Sequence, residues 1–184
     1  MPPPSPPGDP LSEGRFRGTL YRALNPVYAR TPLSGRGAER YGGRFNPKGM
    51  AALYTALDPA TALREANQVG DLQPTTLVAY RADIGPVFDT RDRAALSHYG
   101  LGEADLGAAD WRSAMLDQRP VPTQDLARAL RRAGFAGLLV RSFARSGGSG
   151  QTAPPLNLVL WDWHSPSAEL GVIDDENRLD LRPE

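Results

Sequence analysis

The 184-residue chain predicts a single domain of the α+β class. Three observations lead there. At about 150 residues per domain, the length suits one core with short extensions. Apolar segments of strand length mix with capped helical segments, but without the strict alternation of a parallel α/β sheet. The composition, 40% hydrophobic and 23% charged, is that of an ordinary globular protein with a core to bury.

Residues 1–14 carry six prolines, which neither pair in a sheet nor fill a core, so this stretch reads as a disordered arm. The domain is expected over 15–173 and a loose charged tail over 174–184. A first short strand is expected over 18–22, then a long irregular stretch over 25–50 carrying Gly35, Gly37, Gly42, Gly43 and Gly49. Such a long loop in a compact domain is usually functional or disordered. A strand over 51–56 leads to Asp58-Pro59, an N-cap acid with proline in the first helical position, opening a helix to about residue 68. Strands follow over 75–83 and 87–89, and 103–118 reads as mostly helical, with Trp111 and Met115 on one side. Thr123 is the expected cap of a helix through Arg132 that stops at Gly134. Apolar strands over 135–142 and 156–161 flank a Gly/Ser loop at 146–150 that reads as flexible. Trp161 and Trp163 straddle the last strand, which suggests one in the core and the other exposed.

The absence of cysteine removes disulfides, zinc ribbons, iron–sulfur clusters and thiol nucleophiles. His98 and His164, read as surface residues, supply a metal site poorly. Lys and Arg number 21 against 21 Asp and Glu, which argues against direct nucleic-acid binding and a nuclease-type activity. No apolar run approaches the roughly 18 residues of a membrane span, and the proline-rich start does not read as a secretory signal. A cytoplasmic protein is expected. Gly35-Arg36-Gly37 has Arg40 where the dinucleotide fingerprint needs glycine, and Lys48 is followed by Gly49 rather than the Ser or Thr of a P-loop. Gln151, two positions after Ser149, stands where a nucleophile elbow needs glycine. Metal and serine hydrolases are thereby disfavoured.

Polar residues instead gather at strand ends and loop edges: Arg22, Arg44, Tyr54, Glu65, Ser142 and Asn157. The string Gly35-x-Gly37-Ala38-x-Arg40-Tyr41-Gly42-Gly43-Arg44-Phe45-Asn46 is followed by Leu53-Tyr54-Thr55-Ala56 and by Asp58-Pro59-Ala60-Thr61-Ala62-Leu63-Arg64-Glu65-Ala66. Together with the segments 138–142 and 157–161, it resembles the RES domain over most of the chain, about 19–161. Arg44 precedes Tyr54 by ten residues and Tyr54 precedes Glu65 by eleven, as in that family. Phe45 stands where the family usually has Trp, and Arg141 where Pro is common.

The resemblance implies a toxin of a bacterial toxin–antitoxin pair, with an ADP-ribosyltransferase-like fold of mixed sheets and flanking helices. It implies NAD as substrate and places the family's Arg, Tyr, Glu and Ser at Arg44, Tyr54, Glu65 and Ser142. It also implies a cognate helix-turn-helix (Xre-type) antitoxin that covers the active site and carries the DNA contact. The chemistry suits these residue types without a metal. The nicotinamide of NAD is a cationic leaving group that departs neutral, through an oxocarbenium-like ribose. Glu65 would stabilise that charge. Tyr54 would face the nicotinamide. Arg44 and Arg22 would fork onto the pyrophosphate. Gly42 and Gly43 would let backbone amides approach the phosphates, with Lys48 in reach. Ser142 or Asn157 would fix the ribose or the carboxamide.

Plainer roles stand beside these. Glu65 reads equally as a solvated or ion-paired helix residue, Tyr54 as core packing with a bonded hydroxyl, and Arg22 as the partner of an acid across the sheet. Gly42-Gly43 reads as a turn, Lys48 as a surface charge and Ser142 as a strand-end hydroxyl. The acceptor of ADP-ribose is open between water, phosphate and a protein side chain. The competing function is a non-catalytic module that binds a nucleotide or partner in the same cleft.

Overall fold

The computed structural model describes residues 9–67, 73–144 and 154–179; the loop expected over 146–150 lies outside them. Among the described residues the strands are β1 (Leu11–Ser12), β2 (Arg15–Leu24), β3 (Leu53–Ala56), β4 (Thr76–Ile84), β5 (Val87–Asp89), β6 (Gly137–Arg141), β7 (Leu156–Leu160), β8 (His164–Ser165) and β9 (Ala168–Val172). The helices are α1 (Arg36–Tyr41), α2 (Pro59–Ala66), α3 (Arg93–His98), α4 (Glu103–Leu106), α5 (Trp111–Leu116) and α6 (Pro122–Arg132). The strands form one mixed sheet, in the α+β class expected, in the order β5-β6-β7-β3-β2-β4-β9-β8, with β1 added to β2. Only β5–β6 is parallel.

The sheet is nearly two sheets. β2 and β4 pair continuously from Phe16↔Ile84 to Leu24↔Thr76, and β3 and β7 from Leu53↔Leu160 to Ala56↔Asn157. Between β2 and β3 the register holds at Tyr21↔Ala56 alone. The halves β5-β6-β7-β3 and β2-β4-β9-β8 therefore part on either side of that pair.

Side-chain alternation explains the burial. Along β4, Val78, Tyr80, Ala82 and Ile84 turn to one core, the period of two that a strand imposes. β6 is buried on both faces, with Leu139 in that core and Leu138 and Val140 in a second. The second core is closed by Leu96 of α3, Leu106 of α4, and Leu126 and Leu130 of α6. Because both faces are covered, Trp161 and Trp163 are both buried, at 4% and 7% exposure, rather than one of them exposed.

Several elements depart from the sequence expectation. The 25–50 stretch contains α1, and the helix expected over 103–118 is two short helices, α4 and α5. Helix α3 and strands β1, β8 and β9 were not expected: β1 and β8 are two residues each, and β9 sets Glu169 and Gly171 between its apolar residues. Asp58 caps α2 as expected, accepting the Thr61 N–H at 2.8 Å. Thr123 does not cap α6: Pro122 already occupies the first turn, so Thr123 lies inside the helix and its hydroxyl donates to the Arg44 carbonyl at 2.6 Å. From Asp9 on, the proline-rich segment is packed: Asp9 pairs with Arg91 at 2.8 Å and Leu11 is buried. Residues 174–179 form a turn in which Asp174 accepts the Arg178 and Leu179 amides. No helix among the described residues is long and apolar enough to cross a membrane.

Candidate active site

Helix α2 packs on β2 and β3. Thr61 and Ala62 are its buried residues, and Glu65 follows three and four positions later, on the same face. Its carboxylate meets two residues far away in the chain. Oε1 accepts from Ser142 Oγ at 2.5 Å and from Asn157 Nδ2 at 2.5 Å. Ser142 follows β6, and Asn157, on β7, sits opposite Val140 in register, so the β6–β7 pair delivers both donors to one point. Their donors engage Glu65 and hold its carboxylate. Asn157 Oδ1 is buried without a partner among the described residues.

Tyr54 lies on β3 beside the split. Its hydroxyl donates to Asn46 Oδ1 at 2.7 Å and accepts the Phe45 N–H at 3.0 Å. Burial pushes the phenol well above its ordinary pKa, which the bond from the Phe45 N–H and nearby Arg44 only partly offset. The side chain is nonetheless 37% exposed, because the ring borders open space while the hydroxyl does not.

Two depressions meet at this ring. The larger, about 580 Å³, is lined by Arg22, Arg36, Arg40, Tyr28, Tyr41 and Tyr54 among others, and by no carboxylate. The smaller, about 210 Å³, lies in the split, between residues 21–24 of β2 and 54–56 of β3, and holds Glu65 and Asn157. Arg22, Leu24 and Tyr54 line both, which makes them lobes of one groove with Arg22 and Tyr54 at its waist. Among the described residues Arg22 does not pair with an acid. Its Nη1 donates to the Pro32 carbonyl at 2.7 Å, which also accepts the Tyr80 hydroxyl at 2.8 Å.

Three expectations change with the geometry. Arg44 lines neither lobe: Nη1 donates to the Leu106 and Ala108 carbonyls at 3.1 and 2.6 Å, and the guanidinium lies over the Phe143 and Trp111 rings at 4.8 and 5.6 Å. Burial holds its pKa below the ordinary value, and nearby Glu65 and Tyr54 counter that shift. The Gly42 and Gly43 amides are not available to phosphates, since they donate to the Ala38 and Asn46 carbonyls, each at 2.8 Å. Close packing needs these glycines instead: a Cβ on Gly43 would lie 2.4 Å from the Tyr54 hydroxyl, and one on Gly42, where φ is +72°, would lie 2.7 Å from Met115 Sδ. Lys48 is exposed and lines a separate depression with Arg128, Arg131 and Arg132.

The structure also adds residues that were not singled out. Asn46 is fully buried, its amide donating to the Ala38 and Met50 carbonyls at 2.9 Å each while it holds Tyr54. Its place in the glycine string was the available signal. Gln124 donates to the Gly43 carbonyl at 2.9 Å, and no local pattern marks it. Arg36 and Arg40 were read only as parts of a motif. No group of three or more potential metal ligands occurs among the described residues.

A family model described as the RES domain matches residues 19–182. The chain belongs to the RES domain family. The match begins in β2 and runs past β9, so both halves of the sheet and both lobes of the groove lie within the RES domain. A curated relative, Toxin Res of Yersinia enterocolitica, is 46% identical over 46 residues. That stretch is 25% of this chain and 30% of the relative, so the chain matches less than a third of that protein's length. The crystal structure of the M. tuberculosis MbcT–MbcA toxin–antitoxin complex contains a chain of the same fold. It matches at a TM-score of 0.60 and 23% identity, over 87% of this chain and 83% of that one.

Proposed function

We propose that this RES domain binds NAD in the groove and cleaves the nicotinamide–ribose bond, and that the chain is the toxin of a toxin–antitoxin pair. One observation carries the enzymatic reading: a carboxylate held by two donors, Glu65 with Ser142 and Asn157, lies in the small lobe, while the large lobe is lined by three arginines and no acid. NAD has the complementary charges, a cationic pyridinium at one end and an anionic pyrophosphate towards the other. The nicotinamide and its ribose occupy the small lobe, with the Tyr54 ring against the pyridinium. The pyrophosphate crosses the waist at Arg22.

In the reaction the C1′–N bond breaks and its electron pair stays with nicotinamide, which leaves neutral. The positive charge passes to the ribose as an oxocarbenium ion, stabilised by the Glu65 carboxylate. A lone pair of the acceptor then adds to C1′ and the acceptor's proton is released. Arg44 supports the site from behind through the Leu106 and Ala108 carbonyls, and its charge acts on Glu65 at a distance.

The names of the similar proteins, a Toxin Res and a toxin–antitoxin complex, support the toxin reading. An enzyme that drains NAD from its own cell needs a partner to restrain it. Val27, Tyr28 and Tyr41, exposed by 72%, 63% and 63%, stand at or near the large lobe and offer a helix-turn-helix antitoxin an apolar rim to cover.

The test is mass spectrometry of NAD incubated with the purified protein alone, with phosphate, and with cell lysate. Nicotinamide release is expected. Free ADP-ribose, its 1″-phosphate or a protein gaining the ADP-ribose mass then identifies water, phosphate or a side chain as acceptor. No nicotinamide under any of the three conditions removes the enzymatic reading and leaves a binding module.

A further inference from the structure

We infer that the large lobe binds a dinucleotide carrying an additional phosphate on its adenosine ribose, the NADP class, more tightly than the unphosphorylated one. This rests on the reading of the groove as a dinucleotide site and names its preferred substrate. With the nicotinamide end beside Glu65 and the pyrophosphate at Arg22 in the waist, the adenosine enters the large lobe, which Arg36 and Arg40 line and the small lobe lacks. They stand four residues apart on α1, neighbours on one face of the helix.

Charge decides between the two substrates. In doubly wound dinucleotide-binding folds a carboxylate against the 2′-hydroxyl selects the unphosphorylated ribose and an arginine accommodates a 2′-phosphate, and the same charge logic applies to any lobe that receives that ribose. Here the lobe has no lining carboxylate; Glu39 on the same helix is not among its lining residues. Arg36 and Arg40 form no ion pair among the described residues, and Arg40 lies over the Tyr41 ring at 5.3 Å, which holds it against the wall of the lobe. Three guanidiniums exceed the two charges of a pyrophosphate. A phosphate monoester would add about −1.5 to −2 charges near pH 7, and a guanidinium binds its oxygens in a fork.

The experiment compares two adenosine probes by calorimetry, AMP and adenosine 2′,5′-bisphosphate, on the full chain and on the double variant Arg36→Ala/Arg40→Ala. It also compares nicotinamide release from NAD and NADP. The bisphosphate is expected to bind about tenfold tighter than AMP, the size of one charge-assisted contact, and the double variant to lose that gain. NADP turnover is expected to equal or exceed that of NAD. Equal affinity for the two probes, a gain that survives in the double variant, or cleavage of NAD with NADP left intact each overturns the inference. Failure to cleave either dinucleotide overturns the proposed reaction instead, and the probe affinities still decide the inference.

Discussion

The Tyr54 hydroxyl is bonded inward, to Asn46 and to the Phe45 amide, so the ring is the part of this residue that faces the groove. With its pKa pushed well above the ordinary value near 10, the phenol stays protonated throughout the working range, and its hydroxyl is engaged by Asn46 and the Phe45 amide. The pH–rate profile therefore carries no Tyr54 limb below about pH 10, the ordinary phenol value. Tyr54→Phe is expected to keep nicotinamide release within about tenfold while costing about 1–3 kcal/mol of stability, because the Phe45 amide and Asn46 Oδ1 lose their partner. Tyr54→Ala is expected to lose far more turnover; equal losses in the two variants would return the hydroxyl to the mechanism. At Glu65 the expectation is the opposite: Glu65→Gln keeps the shape and removes the charge. Nicotinamide release should fall by about 10²-fold or more with the melting temperature little changed, and wild-type turnover would take Glu65 out of the reaction.

Helix α6 acts on the site without lining it, whereas the segment at β1 bears on stability alone. The first turn of α6 holds the Arg44 turn through two contacts, from Thr123 to the Arg44 carbonyl and from Gln124 to the Gly43 carbonyl. Gln124→Ala leaves that carbonyl short of a donor and is expected to cost about 1–3 kcal/mol, read by denaturant unfolding. At β1, the Asp9 carboxyl is held below the usual carboxylate range, first because it accepts the Leu11 amide and further because Arg91 lies beside it. A depressed folded pKa stabilises fully above the unfolded value, near 3.9, and that contribution is lost as pH falls through the folded one. Asp9→Asn is therefore expected to lower the melting temperature at pH 7, with the gap to wild type closing as pH drops below about 4. A gap independent of pH would show that the asparagine loses packing rather than charge.

At the scale of the whole molecule, the groove exists because the sheet is joined across its middle by the single pair Tyr21↔Ala56. A continuous β2–β3 ladder would close the space in which Glu65 and Asn157 sit. A partner that lies along the groove would bridge both halves of the sheet. Adding the antitoxin proposed above is expected to give a stable complex in which nicotinamide release is suppressed and the larger lobe is protected from hydrogen exchange. A stable complex that retained full turnover would place the partner elsewhere on the surface.

The class, the main strands, the capped start of α2 and the family were legible in the chain because each rests on local signals: apolar runs, an Asp-Pro start and a motif with set spacing. The sequence also singled out Glu65, Ser142 and Asn157, but not that they meet. Those hydrogen bonds join residues 77 and 92 positions apart, and no local pattern records such a contact. Packing set the rest: Arg44 points to carbonyls and aromatic rings, the Gly42 and Gly43 amides are taken, and Lys48 belongs to another surface. Packing alone gathered Arg22, Arg36 and Arg40 around one lobe. The reason is physical: a buried donor or guanidinium goes to whichever acceptor the packing brings near it, and distant segments of the chain supply that acceptor.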